Sequence, residues 1–109
     1  MTASVTGYHA HIYYDPETRP IAGEIREAIG ARFPVELGRW RDGPVGPHPQ
    51  AMFQVSFAAD AFAEVVPWLM LNHRGLSVFI HPRSGDDRTD HSEYALWLGR
   101  QLEIDLSGL

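Results

Sequence analysis

Two histidines, His9 and His11, stand one residue apart in the aromatic run 8–14. Side chains on a β-strand alternate between faces, so residues i and i+2 point the same way. If the run is a strand, two imidazoles project side by side from one face. A divalent transition metal needs about that arrangement for its first two nitrogen ligands. Four more histidines follow, His48, His73, His81 and His91, and both His48 and His81 directly precede a proline. There is no Cys, and all nine basic residues are Arg. Thiolate metal sites, iron–sulfur clusters, disulfides and cysteine nucleophiles are therefore excluded, as are a Schiff-base lysine and a Walker-type phosphate lysine.

The elements that position these histidines come from a short chain. Its 109 residues fit one domain, 1–109, and a hydrophobic content of 44% is enough for a core. A net charge of −5 with no basic patch argues against a nucleic-acid partner. No run approaches the ~20 apolar residues of a membrane-spanning helix. Residues 1–7 lack the basic-then-apolar pattern of a signal peptide. The expectation is a cytoplasmic protein with neither nucleic-acid nor membrane partners.

Residues 8–14 read as a strand and 15–18 as a turn, with Thr18 as a helix cap and Pro20 in the first turn. Ile21, Ile25, Ala28, Ile29 and Phe33 then recur at helical spacing, and Pro34 ends the helix. A second strand is predicted over 35–41, followed by a Gly/Pro-rich loop over 42–49 that carries His48. Residues 50–57 alternate as a third strand. A second helix runs from Asp60 to about Asn72, kinked or divided at Pro67 and stopped by Gly75. Residues 76–81 form a fourth strand, 82–90 a polar loop and 92–99 a short helix, with Asp90 and Glu93 spaced as a capping box. The tail 101–109 extends along the sheet or covers a neighbour. The order βαββαβ predicts an α+β, ferredoxin-like sandwich: a four-stranded antiparallel sheet with two helices on one face. The other face is left for a ligand or a second subunit. A homodimer is expected, because a half-covered sheet of this size gains by burying more apolar area.

In that topology the first strand is central, between the third and the fourth. Its residues Tyr8, Ala10, Ile12 and Tyr14 form one set, and His9, His11 and Tyr13 the other. On the fourth strand Leu76, Val78 and Ile80 suit the core, which sends Ser77, Phe79 and His81 to the opposite face. On the third, the more polar set is Gln50, Met52, Gln54 and Ser56. Antiparallel pairing brings His81 beside His9 or His11, and His48 towards Tyr13. A single strand histidine is usually a half-buried polar residue, but a His-x-His pair with a third on the neighbouring strand arises less often by accident. His73 reads as a protonatable group near the negative end of a helix. Arg39 and Arg41 read as solvated charges or as clamps for a substrate carboxylate. Tyr13 and Trp40 either shape a pocket or simply pack.

Taken together, five segments resemble the DOPA 4,5-dioxygenase family, small bacterial and fungal extradiol-type dioxygenases. They are His9-Ala10-His11-Ile12-Tyr13-Tyr14, Gly46-Pro47-His48-Pro49, Gly75-Leu76-Ser77-Val78, His81-Pro82-Arg83-Ser84-Gly85, and Asp90-His91 leading into Ala95-Leu96-Trp97-Leu98-Gly99. The resemblance spans Tyr8 to about Leu106. It implies a non-haem Fe(II) site, with O2 and L-DOPA or a related catechol as substrates and a ring-opened semialdehyde as product. It singles out His9, His11, His48, His81 and His91, and not His73. Ser84 stands where the family is expected to carry Thr, which keeps the hydroxyl. The resemblance leaves the division of roles among these five open; His9, His11 and His81 are expected to ligate metal, and His48 and His91 are the acid/base or substrate-orienting candidates. Tyr13, Arg39 and Gln50 are expected to contact substrate. Asp90 or Glu93 would supply a carboxylate if one completes the site. The competing reading is a non-enzymatic ferredoxin-like domain, binding a ligand or dimerising, whose histidine-lined pocket takes up Zn(II) or Ni(II).

Overall fold

Strict alternation in the first strand organises the molecule. The computed structural model describes residues 4–109. Strand β1 (Gly7–Tyr13) is central and pairs antiparallel with β3 (Met52–Ala58) on one side and β4 (Val78–Pro82) on the other. Strand β2 (Glu36–Leu37) adds to β3, and β5 (Leu96–Leu98) adds to β4. The result is an α+β fold with a five-stranded antiparallel sheet in the order β2-β3-β1-β4-β5. Helix α1 (Arg19–Arg32) buries Ala22, Ile25 and Ile29, and α2 (Phe62–Asn72) buries Val65, Val66 and Leu69. These join Ala10, Ile12, Phe53, Val55, Val78 and Ile80 in one core, so both helices lie against the same face of the sheet. Each Val, Leu, Ile or Phe side chain among these contributes about 1.5–3 kcal/mol relative to exposure.

The histidine-bearing face is not left open. Tyr13, Met52 and Phe79 form a second, smaller core there, covered by Ala95, Trp97, Leu102 and Ile104. The tail that supplies this cover is tied down along its length. Ser77 Oγ donates to the Arg100 carbonyl at 2.6 Å, and Asp105 N–H to the Pro47 carbonyl at 3.0 Å. The Arg88 guanidinium donates to the Leu106 carbonyl at 3.0 Å.

Several local expectations are corrected. The sheet has five strands rather than four, and the helix expected over 92–99 is strand β5 instead. Leu96 and Leu98 pack on the main core while Trp97 between them packs on the second. A run of three apolar residues cannot reveal that period of two until β4 lies beside it. The helix in this region is a single turn, α3 (Asp87–Asp90), capped by Asp86, whose carboxylate accepts from Thr89 N–H at 3.1 Å and Thr89 Oγ1 at 2.6 Å. The Asp90–Glu93 capping box does not form. Strand β2 is two residues long, and Arg41 returns only as an isolated bridge to Met52. Thr18 does not cap α1 with its side chain. Its hydroxyl accepts from Asp15 N–H at 2.9 Å, while its own N–H donates to the Asp15 carboxylate at 2.8 Å. Helix α2 runs through Pro67 unbroken, after a 3-10 turn at Ala59–Ala61.

The chain leaves β5 through Gly99, at φ +70°, where a Cβ would lie 2.8 Å from the Leu76 carbonyl oxygen. Gly75 has φ +82° with open space around it. Gly99→Ala is therefore expected to combine a left-handed strain of about 1–3 kcal/mol with displacement of the β4–β5 corner. Gly75→Ala carries the strain alone. Urea unfolding of the two variants should place Gly99→Ala as clearly the less stable; equal midpoints would remove the close-approach argument.

Candidate metal centre

The register of β1 with β4 sets His9 opposite His81 and His11 opposite Phe79. Three imidazoles from the two adjacent strands thus converge on one face. His11 Nε2 lies 3.1 Å from His81 Nε2. One nitrogen from each of His9, His11 and His81 falls within 4.8 Å of the others. Two more rings extend the group. His48, from the Gly/Pro-rich loop, lies 4.2 Å from His11 between ring centroids, and His91, just after α3, lies 4.0 Å from His81. Four imidazoles therefore form a row, His48–His11–His81–His91. His9 stands beside it, edge-on to His11 and His81.

Hydrogen bonds to carbonyls assign the protons, since a carbonyl only accepts. His81 Nδ1 donates to the Pro82 carbonyl at 2.9 Å, which leaves His81 Nε2 as a lone pair. His91 Nδ1 donates to the Asp87 carbonyl at 2.7 Å, which in the neutral ring places the lone pair on Nε2. His48 Nδ1 meets the buried Tyr13 hydroxyl at 2.7 Å. That hydroxyl has no other partner among the described residues, so it donates, and the His48 proton sits on Nε2.

These tautomers test whether a metal fits. A bare His81 Nε2 faces His11 Nε2 at 3.1 Å, a distance at which two lone pairs repel. Either His11 Nε2 keeps a proton and donates it to His81 Nε2, or a cation lies between them; in both cases the buried His11 Nδ1 has no partner among the described residues. Two metal–nitrogen bonds of about 2.0–2.1 Å place their donor atoms about 3 Å apart. His9 completes a three-nitrogen set. The charge states agree. Burial, reinforced by the neighbouring imidazoles, holds His11 well below the ordinary histidine range. Burial pushes His81 and His48 down to about 4. His9 is lowered by burial and, next, by the Arg83 charge. Neutral imidazoles at neutral pH are the form that metal binding requires. The residues present therefore fit a divalent transition metal.

No carboxylate joins this set among the described residues. Asp90 is buried, but its oxygens accept from Ser84 N–H at 2.9 Å and Ser84 Oγ at 2.6 Å. It shapes the loop after β4 rather than binding metal. Glu93 is exposed. His73 caps α2 and contacts the Leu76 carbonyl through Nδ1 at 2.8 Å, apart from the site.

A cavity of about 370 Å³ opens beside the row, lined by His9, His81, His91, Arg83, Ser84 and Asp87 among others. That volume lies in the range of small-molecule sites, about 300–1,000 Å³. Of the three expected substrate contacts, Tyr13 lies beneath the row, bound to His48. Arg39 lines a separate cleft with Arg41, His48 and Gln54. Gln50 spends its amide on the Tyr14 carbonyl at 3.0 Å. Neither Arg39 nor Gln50 lines the cavity that holds His9, His81 and His91. Arg83, Ser84 and Asp87, which do, were not singled out by spacing. Arg83 and Ser84 fall in the segment His81-Pro82-Arg83-Ser84-Gly85 that carries the resemblance, and Asp87 is marked only by its place in the polar loop that follows.

A model of the Dopa 4,5-dioxygenase family matches residues 8–108. The chain is 37% identical over 112 residues to an uncharacterised 21.2 kDa protein of Botryotinia fuckeliana, covering 92% of this chain and 61% of that one. It is 28% identical over 118 residues to the DOPA 4,5-dioxygenase of Amanita muscaria, covering 100% of this chain and 52% of that protein. The chain thus spans less than two thirds of the length of either curated relative. A crystal structure of a candidate dioxygenase from Nostoc punctiforme is 51% identical with a TM-score of 0.93, covering 94% of this chain and 89% of the other.

Proposed function

This chain belongs to the Dopa 4,5-dioxygenase family, and we propose that it is a non-haem Fe(II)-dependent extradiol dioxygenase acting on L-DOPA or a related catechol. The observation that carries this reading is the convergence of His9, His11 and His81, with two Nε2 atoms facing each other at 3.1 Å, beside a cavity of about 370 Å³. Three neutral nitrogen donors leave coordination positions free for substrate and O2. Bound Fe(II) would supply the redox chemistry with O2 and lower the pKa of a catechol hydroxyl.

The remaining histidines divide the proton work. The carbonyl of Asp87 holds His91 with its Nε2 lone pair available, so His91 suits the base that takes a catechol proton. The Tyr13 hydroxyl holds His48 with its proton on Nε2, so the neutral His48 ring suits a hydrogen-bond donor, in the cleft it shares with Arg39, rather than an acid. Phe79, fully buried, packs against His11, His81 and His91 and excludes water from that side.

Untagged protein, reconstituted anaerobically with Fe(II) and then given O2 and a panel of catechols including L-DOPA, tests the reading. New visible absorbance from a ring-opened semialdehyde, with matching oxygen uptake, is expected. Failure to bind iron and to consume any catechol would end it in favour of a non-enzymatic histidine-lined binding domain. His91→Ala is expected to keep its iron and lose about 10²–10⁴ in turnover. Undiminished turnover in that variant would strip His91 of its role as base.

A further inference from the structure

Two opposite charges face the cavity without engaging each other. Arg83 and Asp87 both line it together with His9 and His91. Among the described residues, the ion pairs join Arg19 to Asp42 and Arg74 to Glu24, and neither Arg83 nor Asp87 takes part. Their side chains also make no hydrogen bond among those residues, although their backbones are held firmly. Arg83 N–H donates to the Gly7 carbonyl at 2.8 Å, and the Arg83 carbonyl accepts from Thr6 N–H at 3.0 Å. The Asp87 carbonyl is fixed by His91. The third charged group at the cavity, Asp90, is consumed by Ser84.

A substituent bearing only a carboxylate would pair with Arg83 but meet the uncompensated anion of Asp87. One bearing only an ammonium would meet the converse. A head group that carries both satisfies both side chains at once. We propose that Arg83 and Asp87 are the specificity-determining residues of this cavity, Arg83 taking the carboxylate and Asp87 the ammonium of an amino-acid head group, with the catechol ring turned towards His9, His81 and His91. The assignment rests on the catechol reading above.

Calorimetric titration under argon measures binding without turnover. Four catechols separate the charges: L-DOPA with both, 3,4-dihydroxyphenylpropionate with the carboxylate, dopamine with the ammonium, and 4-methylcatechol with neither. The native protein is expected to bind L-DOPA most tightly. Arg83→Ala should move the Kd ratio of L-DOPA to 4-methylcatechol by about five- to tenfold against L-DOPA, the scale of a charge-assisted contact at a solvent-facing rim. Asp87→Asn should move the ratio of L-DOPA to 3,4-dihydroxyphenylpropionate in the same direction. Unchanged ratios in both variants, with 4-methylcatechol still bound by the native chain, would overturn this proposal and leave the catechol reading standing. A shift with Arg83→Ala alone would overturn the amino-acid head group. No binding of any catechol would remove the catechol reading and this proposal together.

Discussion

Protein carrying His81→Ala should bind Fe(II) at least about 100-fold more weakly than the native chain, since even the loss of an outer-shell partner of a ligand weakens a metal site 10- to 100-fold. The substitution removes one of three nitrogen donors. It also removes the group that faces His11 Nε2 at 3.1 Å, so a second donor loses its counterpart. His11→Ala should act alike, because His11 and His81 are both 3% exposed and no water-borne ligand reaches their positions easily. His73→Ala is the matched control, since His73 serves the end of α2. Redox-silent Zn(II) gives a second readout. A metal that binds only the folded chain stabilises it by about 2.7 kcal/mol at a free concentration 100 times its Kd. The native midpoint in urea should therefore rise with Zn(II), and that of His81→Ala should not. Metal analysis after gel filtration, together with the urea titrations, decides the matter. Stoichiometric iron in His81→Ala would move the centre to other residues.

What the sequence made legible was whatever depends on local period. Alternation in β1 assigned Ala10 and Ile12 to the core and His11 and Tyr13 to the other face, and antiparallel register then carried His81 to His9 and His48 to Tyr13. Features that depend on partners were not legible. Leu96–Leu98 shows its strand character only against Val78, Phe79 and Ile80. The tail covers the histidine face through Trp97, Leu102 and Ile104, which are too sparse to show a period by themselves. Gln50 has the right alternation for the site face, but a backbone carbonyl at the end of β1 captures its amide. Arg39 lies beyond a strand that ends at Leu37, so its direction does not follow from alternation. Asp90 looked like a cap or a ligand because a carboxylate suits either. Ser84, six residues earlier, accounts for it instead.

The metal-free protein should lose stability as pH falls from about 6.5 towards about 4, before most carboxylates titrate. In the unfolded chain each histidine takes up a proton near pH 6.5. In the folded chain burial holds His48 and His81 neutral down to about 4, and His11 is also depressed. Between those limits the unfolded state binds more protons than the folded state, so stability rises with pH and falls as acid is added. His48 and His81 each contribute a slope of about 1.4 kcal/mol per pH unit, so the two across two units come to about 6 kcal/mol, and His11 adds in the same direction. That is comparable with the whole stability of a small domain, about 5–15 kcal/mol. His9, half-buried and lowered in the same direction, adds to the trend. Urea midpoints at pH 7.5, 6.5, 5.5 and 4.5 measure the slope. His48→Gln should flatten it by about one histidine's share, about 1.4 kcal/mol per pH unit, while keeping a polar group beside Tyr13. Bound metal competes with protons for the same lone pairs, so excess Zn(II) should shift the acid transition of the native protein to lower pH and leave that of His81→Ala where it was. A metal-free protein equally stable at pH 7 and pH 4.5 would mean that these imidazoles are not held neutral, and would remove the electrostatic basis for assigning them to a metal.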